Sequence, residues 1–265
     1  MLRIFRSAAT NRSLVYEMVK RDVIGRYSGS FFGIFWSLFN PILMLMVYTF
    51  AFGFVFKARW QGLGDDPFNF ALALFPALLV FNYFAECATR ATSLITSNPA
   101  YVKKVVFPLE LLPIMVSMSA LFHLFVGVAV WCIAFLAMGK PLHTSLLFVP
   151  LAFIPLIIFC IALSLILASL GVFLRDIQQI IGVLTSALMF LSPVFYSIEN
   201  VPASLKPFIW LNPLTPLIEM VRSAMVFDKL LGLDLYAATL AGSLVFLWLA
   251  TWWFDSTRKG FADVI

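Results

Sequence analysis

The sequence predicts an all-α integral membrane protein of about six transmembrane helices, and three observations carry that expectation. Of its 265 residues, 62% are hydrophobic and only 12% are charged, with a mean hydropathy of +0.99. Soluble domains run near about 45–50% apolar and about 25% charged, so water is the wrong solvent for this chain. The apolar residues gather in runs long enough to cross a hydrocarbon core, which takes roughly 20 residues as a helix. The 18 Lys and Arg residues lie between those runs and not in one patch. They read as topology signals, and they argue against nucleic-acid binding despite a formal charge of +5.

Residues 1–30 carry Arg3, Arg6, Arg12, Lys20, Arg21 and Arg26 with no central apolar block or small-residue cleavage site, unlike a signal peptide. Leu14, Val15, Met18, Val19 and Val23 recur at helical spacing with charges largely between them, predicting an amphipathic helix along the cytoplasmic interface. A plain basic tail that sets topology is the alternative. Residues 31–265 read as a single transmembrane domain, with spans at about 31–56, 70–87, 109–138, 146–174, 177–196 and 235–254. With the N-terminus inside, 12 of the 18 basic residues flank cytoplasmic ends. The outer set is Lys57, Arg59, Lys140, Lys206, Arg222 and Lys229, so both termini are expected inside.

Between the last two spans, residues 193–216 hold Pro193, Pro202, Pro207, Pro213 and Pro216 among Phe195, Tyr196, Phe208 and Trp210. Proline removes a backbone donor and blocks helix continuation. Non-helical backbone survives at membrane depth only inside protein or beside a cavity. Short re-entrant or interfacial helices on the outer side are expected, with a plain outer loop as the alternative.

Familiar catalytic patterns are missing from the sequence. It has no G-x-x-x-x-G-K-[ST] phosphate loop, no H-E-x-x-H and no G-x-S-x-G elbow. Cys87, Cys132 and Cys160 are scattered, suiting packing better than a metal or disulfide framework. Asp65 and Asp66 read as a solvated turn. His123 lies inside the third span, where a neutral imidazole hydrogen-bonded between helices is cheaper than a buried charge. Glu86, Arg90 and Glu110 sit near cytoplasmic span ends and read as interfacial anchors. Gly25, Gly29 and Gly33 permit close helix approach. Phe32, Phe35, Trp36 and Phe39 follow i, i+3, i+4, i+7 and share a helix face, which on periodicity alone suits an interfacial belt. A membrane-embedded transferase would need a base beside a partner, and neither His123 nor His143 has one at helical spacing. A passive channel or ion-coupled carrier would show mid-span acids, which are missing.

The run Arg26-Tyr27-Ser28-Gly29-Ser30, continued by Phe31-Phe32-Gly33-Ile34-Phe35-Trp36-Ser37-Leu38-Phe39-Asn40-Pro41, resembles the opening of type-2 ATP-binding-cassette export permeases. So do Lys103-Lys104-Val105-Val106-Phe107-Pro108, Arg175-Asp176-Ile177, Leu191-Ser192-Pro193-Val194-Phe195-Tyr196 and Leu211-Asn212-Pro213-Leu214, in the expected order over nearly the whole chain. Such permeases move O-antigen, capsular polysaccharide or teichoic acid across the bacterial inner membrane. The resemblance implies a non-enzymatic half-transporter. Two copies would enclose a channel for a lipid-linked polysaccharide and work with two separate ATPase subunits. Export of another substrate, such as a lipid or drug, is the alternative within the same superfamily. No cofactor belongs to this chain, since ATP and Mg would sit on the partner. The proline-broken segment would form short gate helices. Phe32, Phe35, Trp36, Phe39, Phe195 and Tyr196 become channel candidates, and Lys20, Arg21, Lys103, Lys104, Arg175 and Asp176 become candidates for coupling to the ATPase.

Overall fold

The computed structural model describes residues 2–60, 62–64, 66–103, 107–141, 143–174, 176–229 and 232–264. Two of the expected site residues, Lys104 and Arg175, lie outside that set, as does Asp65. All regular structure among the described residues is helical. Helices α1 (Leu2–Thr10) and α2 (Arg12–Tyr27) precede the first long helix. That helix starts as a 3₁₀ turn at Gly33–Phe35, continues as α3 (Trp36–Tyr48), and widens to a π-helix over Thr49–Val55. Then come α4 (Pro67–Ala91), the short α5 (Pro99–Lys103), α6 (Leu111–Ala137), α7 (Val149–Phe173) and α8 (Ile177–Leu191). The short α9 (Lys206–Leu211) and α10 (Leu214–Val226) lead to α11 (Leu233–Thr257) and a last turn, α12 (Phe261–Val264).

Five of these helices are long and apolar enough to cross a membrane. The sixth expected span is shorter, because α8 stops at Leu191. Pro193 is the cause: the residue before a proline is driven out of the α region, and Ser192 is extended there (φ −90°, ψ 152°). Its 15 residues rise about 22 Å, less than a hydrocarbon core of about 30 Å. In contrast, α4 runs past its expected end at residue 87 to Ala91, because Glu86 and Arg90 find partners and stay helical.

Burial separates a centre from a rim. In the most apolar stretch of α4, 83% of residues are buried, against 11% for Gly33–Val55 and 17% for the last long helix. Around α4 pack α6, α7 and α10. Small residues allow the closest approaches. A Cβ on Gly171 of α7 would stand 1.7 Å from the Thr92 carbonyl oxygen, just past the end of α4, and one on Gly127 of α6 would meet the Leu79 side chain at 2.3 Å.

Pro76 lies inside α4 and leaves the Leu72 carbonyl without its helical donor. The fully buried Trp131 of α6 supplies one, its indole N–H donating at 2.9 Å. The neighbouring Ala73 carbonyl accepts from Arg222 Nε at 3.1 Å. Trp131→Phe keeps the ring and removes that donor. It is expected to destabilise the protein by about 1–3 kcal/mol, the cost of one unsatisfied buried carbonyl. A thermal unfolding series in detergent checks this, and an unchanged midpoint would contradict it.

Arg222 was counted from the sequence among the outer-loop charges, yet only 1% of it is exposed. It donates to Glu219 within α10 and to the carbonyls of Pro193 and Val194 just beyond α8, and its guanidinium lies 4.6 Å from the centre of the Trp60 ring. The proline-broken stretch is therefore organised by buried polar bonds. Asn212 joins it to the end of α8 by donating to Ser192 Oγ at 2.8 Å, while its own oxygen accepts from the Leu214 N–H at 3.0 Å. Helix α10 is consequently buried along nearly all its length.

Candidate functional site: an uncovered aromatic face and a charged clasp

The Phe32, Trp36 and Phe39 rings form a connected row, edge to face, at centroid distances of 5.7 and 5.5 Å. Phe31 extends it, 5.1 Å from Phe32. All four are exposed, as is Phe35, so the described residues leave much of that helix face uncovered. The other two channel candidates lie elsewhere. Phe195 stacks on Phe52 of the π segment at 5.7 Å and on Phe190 of α8 at 5.7 Å, with Tyr48 at 6.5 Å. Tyr196 is half-buried and donates its hydroxyl to the Leu191 carbonyl at 3.2 Å. The structure thus places the two groups at opposite ends of the first long helix. It joins the second group to α8, whose residues Ile180, Val183, Leu184 and Phe190 are also exposed.

The described coupling candidates gather at the end of the bundle that carries α2, α5 and α12. Lys20 and Arg21 are exposed on the rim of a groove of about 1060 Å³ between α2 and the 93–101 segment, bordered by Ser97 and Tyr101. Lys103 is exposed at the end of α5. Asp176 is exposed in the turn between α7 and α8. That turn follows Phe173, whose ring packs on Phe261 of α12, and α12 touches α5. Helix α2 does not only skim an interface: Val15 and Met18 pack against the core cluster that holds Leu94, Leu111 and Leu112, and Val23 is buried.

A cluster of charges ties α2 down. Arg26 donates to Glu86 of α4 and lies 3.8 Å from Asp22. Arg90 reaches Asp22 at 2.6 Å and Glu86 at 3.3 Å. His123 of α6 closes the group, with Nε2 3.0 Å from the Tyr27 hydroxyl and Nδ1 3.3 Å from Glu86. Nδ1 also lies 3.2 Å from the Arg26 guanidinium, which can only donate, so the ring is satisfied in either tautomer: Nδ1 accepts from Arg26 while Nε2–H donates to Tyr27, or Tyr27 donates to Nε2 while Nδ1–H donates to Glu86. Burial pushes the Tyr27 hydroxyl above the ordinary phenol range, with Arg26 opposing and Glu86 adding to the shift, so Tyr27 keeps its proton. Glu86 and Arg90, read from the sequence as interfacial anchors, are partners of α2 instead. Glu110 is likewise buried, 3.7 Å from Arg258. The spacing Asp22–Arg26 and Glu86–Arg90, four apart in each case, was the available signal for the clasp. Nothing in the spacing showed that the two pairs would meet.

The profile of the ABC-2 type transporter family matches residues 13–226, which spans the clasp, the aromatic face and the buried α10. Among similar proteins is the O-antigen export system permease protein RfbA of Myxococcus xanthus, 28% identical over 267 residues and covering 100% of both chains. A protein of the same name from Klebsiella pneumoniae is 28% identical over 212 residues, 79% of this chain and 78% of that one. The capsule polysaccharide export inner-membrane protein CtrC of Neisseria meningitidis serogroup B is 22% identical over 222 residues, 82% of this chain and 80% of that one. With the family matched over most of its length, this membrane-spanning chain belongs to the ABC-2 type transporters.

Proposed function

We propose that the chain is the permease subunit of an ATP-driven exporter that moves a lipid-linked polysaccharide across the bacterial inner membrane. Two copies would form the conduit and two separate ATPase subunits would drive it, with both termini cytoplasmic. The names of the relatives supply the substrate class. The geometric observation that carries the reading is the uncovered row Phe32–Trp36–Phe39, on a helix with so little of its surface buried. A sliding chain of sugars needs many weak, interchangeable contacts, and aromatic rings offer these to the C–H faces of pyranoses without gripping any one unit. The rings around Phe195 would stand at the opposite mouth. Lys20, Arg21, Lys103 and Asp176 would meet the ATPases, as would Lys104 and Arg175, and the energy must come from such a partner because this sequence has no phosphate-binding loop.

Trp36→Ala or Tyr196→Ala is then expected to lower surface polymer about two- to tenfold at unchanged permease abundance, the scale of one aromatic contact. Lipid-linked polymer should accumulate inside. Photo-crosslinkers at positions 36 and 196 should capture polymer during active export. Capture of lipid alone would overturn the conduit.

A further inference from the structure

A cavity of about 360 Å³ lies between α3, α4 and α6, beside the clasp and apart from the exposed ring row. That size falls in the range of about 300–1,000 Å³ typical of small-ligand sites. Its charged end is already balanced, with Asp22 and Glu86 answering Arg26 and Arg90. A phosphate or other anion would find no unpaired cation in that group. The side walls differ in kind. Asn40 of α3 and Asn82 of α4 both line the cavity, and neither carboxamide has a hydrogen-bonding partner among the described residues. Both belong to helices that cross the hydrocarbon, where an unpaired amide facing lipid is costly. Those amides therefore call for water or a polar ligand. Tyr48, Met44 and Phe75 give the same cavity an apolar side.

A neutral ligand that offers adjacent donors and acceptors on its edge and C–H groups on its face is a sugar ring. We propose that this cavity is a binding subsite for one sugar unit, with Asn40 and Asn82 hydrogen-bonding vicinal hydroxyls and Tyr48 against the apolar face. The inference rests on the polysaccharide reading above and adds to it residues that would discriminate among sugars.

The test uses the complete exporter in cells making their own polymer. With benzophenone crosslinkers at positions 40 and 82, polymer adducts are expected at both. Asn40→Ala and Asn82→Ala should each reduce surface polymer about three- to tenfold at normal abundance, the loss of one or two hydrogen bonds. If an alanine variant fails to accumulate in the membrane, the serine variant at that position is read in its place. Adducts to lipid alone would overturn the subsite. So would normal export by both variants, or polymer capture at position 36 with none at 40 or 82. Undiminished surface polymer in a strain lacking the permease would instead sink the export function itself.

Discussion

Replacing Arg222 with methionine is expected to lower the melting temperature of the purified permease by roughly 10 °C or more and to deplete it from membranes. Methionine fills much of the space but offers no donors. It would strand the Glu219 carboxylate and leave the Ala73, Pro193 and Val194 carbonyls without the bonds that Arg222 gives them. Glu219 is about a quarter exposed, so water can answer part of its charge, and the larger cost is the unsatisfied carbonyls at about 1–3 kcal/mol each. Arg222→Lys should recover only part of the loss, since one ammonium cannot reach three separate carbonyl groups and a carboxylate in a fork. The double change Arg222→Met with Glu219→Gln should be milder than Arg222→Met alone, because no carboxylate is stranded. Wild-type thermal stability in Arg222→Met would show that these bonds add little.

Glu86→Leu is expected to release α2 while leaving the bundle folded. The carboxylate accepts from Arg26 and Arg90 and faces His123, so its loss removes the shared acceptor from three side chains on three helices. The site is half-open to solvent, and water can take over part of the lost bonding. The penalty is therefore about 1–3 kcal/mol, below that of Arg222. Proteolysis between α2 and α3 should accelerate correspondingly, about fivefold or more for each kcal/mol if cleavage follows the open population. On the reading that α2 meets an ATPase, export should fall further than membrane abundance does. Unchanged proteolysis would mean that apolar packing of Val15, Met18 and Val23 alone holds the helix.

The spans were legible because lipid makes a blunt demand: an apolar helix of sufficient length leaves a mark that no soluble fold would produce. Their ends were less legible. The extension of α4 to Ala91 depended on Asp22 and Arg26, whose partners lie 68 and 60 positions away in the chain, and no local pattern carries that information. The break in α8 was readable in principle, since Pro193 was seen, but a run of apolar residues on both sides obscured it. Arg222 was the largest misreading. A charge next to proline-broken segments was assigned to a loop, and no local pattern showed that it would reach the Ala73, Pro193 and Val194 carbonyls. The aromatic face was fully visible as a period of helical spacing, whereas its lack of cover is a property of packing that periodicity cannot express. Asn40 and Asn82 carried no pattern at all until three helices brought them to one cavity.

The contact between Gly171 and the Thr92 carbonyl has a mechanical consequence. Two backbones that meet with no layer of side chains between them have no soft material in which to slide, and shear between packed helices depends on such side-chain repacking. The pair α4 and α7, with α6 and α10 fastened to it, should therefore behave as a stator. Displacement in a working cycle would be left to the first long helix and α8, whose looser attachment gives them somewhere to go, whereas α11 packs along α7 and would stay with the stator.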